Sequence, residues 1–286
     1  LFALQPAPVQ ISFLGYPGTL GAEYVPYLIA DRVVLPDELR PWFSECPVYL
    51  PDCYQVNDDE QPIAATGMTR TDAGLPGEGF VYCCFNRTDK IEPESFGAWM
   101  RILEQVPGSV LWLLAGDPHG ADHLRQAAAA CGIDPARLIF APRLPKAEHL
   151  ERHRLADLFL DTFTYNAHTT ASDALWAGLP IVTLRGSFFQ SRVCASLLTA
   201  LGFTELIADR APEYETLAVR LAREPVRLGE LRRRLQQRRL GGAPFDTRGF
   251  ARDLERAFAA TWAFQDAARR PKMIYIQKDN TTEAIV

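Results

Sequence analysis

Short apolar runs alternate with amphipathic stretches along most of the chain after Gly79. The apolar runs are typical of buried strands and lie at 80–85, 110–114, 138–140, 158–160, 181–184 and 206–208. Between and after them, apolar residues recur at helical spacing, which predicts helices over 95–106, 121–131, 146–155, 169–177, 191–201 and 213–223. Strands that are apolar on both faces and are each followed by a helix indicate an α/β fold with a doubly wound parallel sheet.

Weaker patterns flank this unit on both sides. Apolar runs at 9–14, 27–30 and 48–50 alternate with proline-rich segments, which is typical of the end of another α/β unit. Two amphipathic stretches near the other end predict helices over 228–240 and 247–264. The predicted division is 1–60 for the end of a first lobe, 61–79 for a polar linker, 80–224 for the second lobe, 225–270 for helices that pack on the lobes, and 271–286 for a tail.

The predicted tail differs in composition from the rest of the chain. It holds two of the four lysines and is rich in Ile, Asn and Thr, whereas the body is rich in Arg, Ala and Leu. We therefore expect an appended or poorly ordered segment that contributes nothing to the fold.

Charge and cysteine content restrict the possible partners. A net charge of -5 argues against nucleic acid or an anionic membrane as the main partner, and no apolar run approaches the roughly 20 residues that span a bilayer. The arginine run at 232–239 alternates with leucines, so a solvated helix face explains it better than nucleic-acid binding. Six scattered cysteines without a CxxC pair are typical of free thiols in a reducing compartment, and we expect a cytoplasmic protein.

Polar segments follow three of the predicted strands, where open parallel sheets bind their ligands. These segments begin at Asn86, Ala141 and Asp161. Lys90 and Lys146 lie in the first two, although arginine is almost the only cation of the globular body. A compact ammonium suits a phosphate or ribose oxygen, and chance placement of two surface lysines is the alternative.

A helix is predicted to start at His168-Thr169-Thr170, directly after the third polar segment. Free backbone N–H groups and the helix dipole make such a start an anion site. The alternative is a plain N-cap. Asp173 follows one turn later, either as a favourable first-turn acid or as an acceptor for ribose hydroxyls.

Histidine spacing gives little support for a metal site. His149 and His153 are four residues apart, yet no HExxH glutamate and no third ligand accompany them. His119 and His123 show the same spacing. No acidic DxD pair follows a predicted strand, so we expect neither a metal nor a cofactor.

Five stretches together resemble the catalytic region of the protein O-GlcNAc transferases, glycosyltransferase family 41. They are Leu14-Gly15-Tyr16-Pro17-Gly18-Thr19, Phe85-Asn86 with Lys90-Ile91, the run from Pro107 to Leu114, Pro145-Lys146 with Glu148-His149, and His168-Thr169-Thr170 with Asp173 and Leu175-Trp176-Ala177-Gly178. The similarity runs from Leu1 to about Trp262. It implies a GT-B fold, in which two Rossmann-like lobes face each other across a cleft, with the C-terminal lobe complete and the N-terminal lobe only partly present.

The resemblance also implies an activity and a set of site residues. The donor would be UDP-N-acetylglucosamine (UDP-GlcNAc), and the acceptors would be serine or threonine hydroxyls of proteins, with inversion at the anomeric carbon and no metal. By position, the resemblance implies that Lys90 is the essential diphosphate ligand, and the other diphosphate contacts are Arg87, His168, Thr169 and Thr170. The implied contacts around ribose and uracil are Leu144, Lys146, His149, Arg152 and Asp173. The residues implied to lie along the sugar are Leu14, Gly15, Pro17 and Tyr165.

Departures from the family pattern affect the details. Arg87 stands where animal members have a glutamine, and Tyr165 and Ala167 replace smaller or more flexible residues. The long inter-lobe insertion of the animal enzymes is missing, which suggests a bacterial-type member. The tetratricopeptide repeats and the rest of the first lobe are expected as a partner of this chain. The alternatives are a nucleotide-sugar-binding fragment that is inactive alone, or a GT-B UDP-sugar epimerase or other transferase.

Overall fold

The computed structural model describes residues 1–116, 118–267, 269–278 and 282–284. The strands are β1 (Ile11–Ser12), β2 (Tyr27–Ala30), β3 (Cys46–Tyr49), β4 (Val81–Cys84), β5 (Val110–Leu114), β6 (Leu138–Ala141), β7 (Leu158–Leu160), β8 (Ile181–Leu184), β9 (Ile207–Ala208), β10 (Ile274–Ile276) and β11 (Thr282–Ala284). The helices are α1 (Pro93–Gln105), α2 (Pro118–Ala130), α3 (Lys146–Arg152), α4 (Thr169–Trp176), α5 (Val193–Leu201), α6 (Ala211–Arg223), α7 (Pro225–Arg238) and α8 (Thr247–Asp266).

The second lobe is built on a six-stranded parallel sheet in the order β6-β5-β4-β7-β8-β9. The chain enters at β4, proceeds outwards to β6, and then returns to the other side of β4 at β7. This order reverses between β4 and β7, which is the point where doubly wound sheets bind ligands. Together with the parallel strands of the first lobe, the sheet confirms the expected α/β fold of GT-B type.

Burial of both strand faces explains the second-lobe sheet. All four residues of β4 are buried, and helices cover both faces as the apolar runs predict. A buried hydrogen-bond chain ties one helix layer to the sheet, because Trp99 Nε1 donates to Tyr214 Oη at 3.0 Å and this hydroxyl donates to Asp161 O at 3.0 Å. These two hydrogen bonds fix α1 and α6 relative to the carboxyl end of β7.

The first-lobe sheet corrects the expectation for the predicted tail. Its order is β1-β2-β3-β10-β11, and β10 lies parallel to β3 with Ile274 opposite Val48. Tyr275 is buried and stacks on Tyr49, with ring centres 4.9 Å apart. An apolar Ile-Tyr-Ile run therefore covers the otherwise open edge of β3, although its composition argued for exclusion. Residues 279–281 and 285–286 of the predicted tail lie outside the described residues.

Helix α5 joins the two lobes through polar contacts. Ser196 Oγ donates to Asp31 Oδ2 at 2.6 Å, and Arg192 Nε donates to Val33 O at 2.6 Å. Asp31 is buried and also accepts from Tyr54 N at 2.9 Å. The first lobe is thus held against the start of α5, which is a helix of the second lobe.

The C-terminal helices divide between the lobes. Helix α7 packs on the second lobe through Leu228, Leu231 and Leu235, whereas α8 packs on the first-lobe sheet around Ala257. The arginine run of α7 is only partly a solvated face, because Arg232 donates to Ala156 O and Arg234 donates to Glu205 at 2.6 Å. Among the described helices, none combines the length and the apolar character needed to cross a membrane.

Candidate functional site

Polar side chains meet where β4 and β7 end, at the reversal of strand order. Asn86 follows β4 and is buried. Its Oδ1 accepts from Thr170 Oγ1 at 2.6 Å, and its Nδ2 donates to Thr162 Oγ1 at 2.9 Å. One amide therefore joins both strand ends to the start of α4. Because the Thr170 hydroxyl donates to Asn86, its proton is already used, and a ligand there would meet backbone N–H groups.

Asp161 shapes the loop that leads into α4. It is fully buried, and its Oδ1 accepts from Ala167 N at 2.6 Å and from Thr162 N at 2.9 Å, while Thr183 Oγ1 donates to Oδ2 at 2.7 Å. Burial raises the pKa of Asp161 to about 6. The loop from 161 to 167 is thus folded around this carboxyl group.

The start of α4 offers unsatisfied backbone donors. Ser172 N donates to His168 O, and among the described residues no side chain caps the helix. The first N–H groups of an α-helix have no intrahelical partner, and this applies to those of Thr169 and Thr170. His168 Nε2 lies 3.1 Å from Gln190 O, which can only accept, so Nε2 carries the proton. Burial lowers the pKa of His168 to about 4, and the ring is neutral at physiological pH.

Lys90 is held beside this helix start. Its Nζ donates to Asn166 O at 2.9 Å and lies 3.9 Å from the centre of the Tyr165 ring. The Tyr165 ring stacks on His168, with ring centres 4.7 Å apart. Burial lowers the pKa of Lys90. An ammonium next to the positive end of a helix is an arrangement that favours an anion.

A second polar cluster lies one turn further along α4. Lys146 Nζ forms an ion pair with Asp173 Oδ1, and His149 Nε2 lies 4.0 Å from Asp173 Oδ2. Burial raises the pKa of Asp173, and the hydrogen bond from Lys146 opposes that shift. Burial, with smaller effects of Arg152 and Lys146, lowers the pKa of His149 to about 3. Half-exposed Lys146 and neutral His149 can therefore offer hydrogen bonds to a polar ligand.

Two arginines of the predicted set differ strongly in burial. Arg152 is only 1 % exposed, its Nη1 donates to Pro142 O at 2.5 Å, and its guanidinium covers the Phe85 ring. It supports the segment that leads to partly buried Leu144 and presents no accessible donor. Arg87 is exposed and pairs with Asp89 at 2.9 Å, three residues before Lys90 in the sequence.

The predicted sugar-lining loop comes from the first lobe. Leu14 adopts a left-handed backbone conformation with φ 62°, which is uncommon for a residue with a side chain. Leu14 and Gly15 are exposed and Pro17 is buried. Burial, and after it the neighbouring Tyr16, raises the pKa of Tyr165.

His153 of the histidine pair is held by packing and a backbone hydrogen bond. His153 is buried, and its Nδ1 donates to His149 O at 2.7 Å. Within the described ranges, no group of three or more His, Cys, Asp or Glu residues could hold a metal ion. Metal independence stays a prediction.

Sequence reasoning missed Asn86 and Asp161 as organising residues. Both directly follow strands and belong to segments already marked as polar. Their partners Thr170 and Thr183 lie 84 and 22 residues away along the chain. Nothing in the local pattern separates these two residues from their polar neighbours.

Comparison with known proteins identifies the family of the chain. The profile of glycosyl transferase family 41 matches residues 1–65 and 59–254. A probable UDP-N-acetylglucosamine–peptide N-acetylglucosaminyltransferase of Arabidopsis thaliana, SEC, is 40% identical over 278 residues, which cover 95% of this chain and 28% of that protein. A Caenorhabditis elegans UDP-N-acetylglucosamine–peptide N-acetylglucosaminyltransferase is 29% identical, over 92% of this chain and 32% of its own length.

A solved structure shows the same fold. An O-GlcNAc transferase mutant from Thermobaculum terrenum superimposes with a TM-score of 0.85 at 30% identity, over 93% of this chain and 51% of that one. The chain therefore spans about half of that structure and less than a third of the length of the plant relative. On the match of both lobes, the chain belongs to glycosyl transferase family 41.

Proposed function

We propose that this chain binds UDP-GlcNAc and forms the donor side of an inverting transferase that moves N-acetylglucosamine to serine or threonine hydroxyls of proteins. The observation that carries the proposal is the convergence of Lys90 Nζ and the open start of α4 at the reversal of strand order. The names of the plant and nematode relatives support the donor and the acceptor class.

The successive parts of the donor fit the two polar clusters, one at the start of α4 and one around Asp173. The diphosphate would lie on the N–H groups of Thr169 and Thr170 with Lys90 beside it, and one helical turn, about 5 Å, separates these groups from Asp173. Asp173 and Lys146 would bind the ribose hydroxyls. Uracil would lie against Leu144 and His149, and the sugar against Leu14, Gly15, Pro17 and Tyr165.

The proposed reaction is a direct displacement. The acceptor oxygen attacks the anomeric carbon from the face opposite the leaving group, and the bond from that carbon to the β-phosphate oxygen breaks with its electron pair. The acceptor proton passes to a base that we do not assign. Lys90 and the α4 start stabilise the charge that develops on UDP, and one such preorganised donor is worth about 10²- to 10³-fold in rate. These positive groups would replace a metal, so EDTA should leave turnover unchanged.

A second candidate is a donor-binding unit that is inactive alone. The observation that favours it is the share of the superimposed transferase that this chain covers, which is 51%. In either case we place the protein in a reducing compartment such as the cytoplasm, because all six cysteines are free thiols.

Sugar transfer from radiolabelled UDP-GlcNAc to a serine-containing peptide tests the proposal. We expect labelled peptide with the wild-type chain and at least a hundredfold less with Lys90→Met. UDP binding without peptide labelling would select the inactive unit instead. A labelled UDP-sugar of altered configuration would indicate an epimerase, and no binding of UDP would refute both candidates.

A further inference from the structure

An aromatic cavity lies between the lobes beside the candidate donor site. Its volume is about 630 Å³, and its walls include Leu39, Trp42 and Phe43 of the first lobe and Phe188 and Phe189 of the second. The rings of Phe43 and Phe189 lie 6.3 Å apart and form part of the apolar floor. Both lobes therefore contribute to one concave surface.

The rim of this cavity exposes aromatic side chains. Trp42 is 76% exposed, Phe188 is 61% exposed and Tyr16 is 59% exposed. Exposed aromatic groups around an apolar concavity are typical of surfaces that bury a partner's side chain. No charged residue lines the cavity, among the residues that the structure describes. A charged group entering it would lose water without gaining a partner, so the cavity selects for apolar groups.

The cavity shares walls with the donor site. Gln190 lines the cavity, and its carbonyl accepts from His168 Nε2 at 3.1 Å and from Asn166 N at 3.0 Å. On the first-lobe side, Tyr16 lines the cavity and belongs to the loop predicted to lie along the sugar. Tyr165, whose ring lies under Lys90 Nζ, is also predicted to lie along the sugar. A molecule seated in the cavity is thus next to the place where the donor's diphosphate and sugar would lie.

We propose that the aromatic cavity binds an apolar or aromatic side chain of the acceptor polypeptide, close in sequence to the hydroxyl that receives the sugar. The inference rests on the proposed function. An acceptor that presents its hydroxyl at Tyr165 lies beside the cavity, because Gln190 belongs to the cavity wall and bonds to both Asn166 and His168. An extended chain directs alternate side chains to one side at about 7 Å spacing. One flanking side chain can then enter the cavity while the hydroxyl reaches the donor. Trp42 and Phe188 are the specificity-determining residues.

Binding of matched peptides tests this assignment. Two serine peptides would differ only by Phe or Asp at a position two residues from the serine, and their affinities for the full chain would be measured at saturating UDP. We expect the Phe peptide to bind at least fivefold more tightly. Trp42→Ser and Phe188→Ser should abolish that preference and leave UDP affinity unchanged, because both side chains are exposed. Trp262→Ser is the matched control, since Trp262 is 54% exposed on α8 and lies outside the cavity.

Photocrosslinking identifies the contact directly. With benzoylphenylalanine in place of the Phe, the label should fall on the segment at 39–43 or at 187–190. Three outcomes would overturn the cavity's role if the protein still binds UDP. They are labelling elsewhere, equal binding of both peptides, and an unchanged preference in Trp42→Ser and Phe188→Ser. Absence of UDP binding by the wild-type chain would instead overturn the proposed function on which the inference rests.

Discussion

Lys90 lies over the ring of Tyr165, with Nζ 3.9 Å from the ring centre, and the same ring stacks on His168 at 4.7 Å. A tyrosine thus links the ammonium to His168, the N-cap residue of α4. Tyr165 is one of the positions at which the sequence departs from the pattern that the resemblance implies.

Tyr165→Leu should weaken UDP binding, because it removes the ring face that positions Lys90. An exposed cation–π contact is worth about 0.5–1 kcal/mol, which corresponds to about two- to fivefold in affinity. Tyr165→Phe keeps the ring and should bind UDP as the wild type does. Calorimetric titration of the three proteins measures the difference, and equal affinities of the Leu and Phe variants would refute the role of the ring.

Asp173→Asn should reduce discrimination between ribose analogues. The variant removes the carboxylate charge that pairs with Lys146. In the proposed complex this carboxylate accepts hydrogen bonds from the ribose hydroxyls. Hydrogen bonds to charged groups are worth about 1.5–3 kcal/mol, so we expect the preference for UDP over its 2′- or 3′-deoxy analogue to fall about tenfold or more. Lys146→Gln provides a double-mutant cycle, in which the two losses should be less than additive. Unchanged selectivity towards both analogues would contradict the ribose assignment.

His168 should make stability depend on pH. Its pKa in the folded chain is about 4, below the ordinary 6.5, so the unfolded chain binds more protons as the pH falls below 6.5. Stability contributed by neutral His168 is therefore complete above pH 6.5 and is lost as the pH falls towards 4. Between pH 7.5 and 5 the wild type should lose about 2 kcal/mol more unfolding free energy than His168→Gln. Urea titrations at both pH values measure this, and parallel losses would contradict it.

Ser196→Ala should destabilise the contact between the lobes. The change removes the hydroxyl that donates to buried Asp31 and leaves a carboxyl group with one donor fewer. We expect a cost of about 1–3 kcal/mol in unfolding free energy. Thr199→Ala is the control on the same helix, because Thr199 Oγ1 donates only to Ala195 O of its own helix. An equal effect of both variants would show that the inter-lobe bond contributes nothing specific.

Patterns along the chain predicted the second lobe well, because buried strands produce apolar runs. Lys90, Lys146 and His168 each follow such a run, so a parallel sheet brings them to the same edge. Long-range pairing was harder to predict. Asn86 and Asp161 acquire their roles from distant partners, and β10 joins the first sheet although its composition resembles a tail. Arg152 matched a nucleotide contact by position, yet it is buried with its guanidinium over the Phe85 ring, and its role near uracil stays a prediction.

Titration of UDP into the full chain and into Lys90→Met tests the central claim most directly. Loss of a charged donor should weaken binding about 10- to 100-fold, while Lys272→Met, which alters a lysine far from the site in sequence, should bind as the wild type does. Equal UDP affinity for wild-type protein and Lys90→Met would contradict the assignment of the α4 start and Lys90 as the diphosphate site.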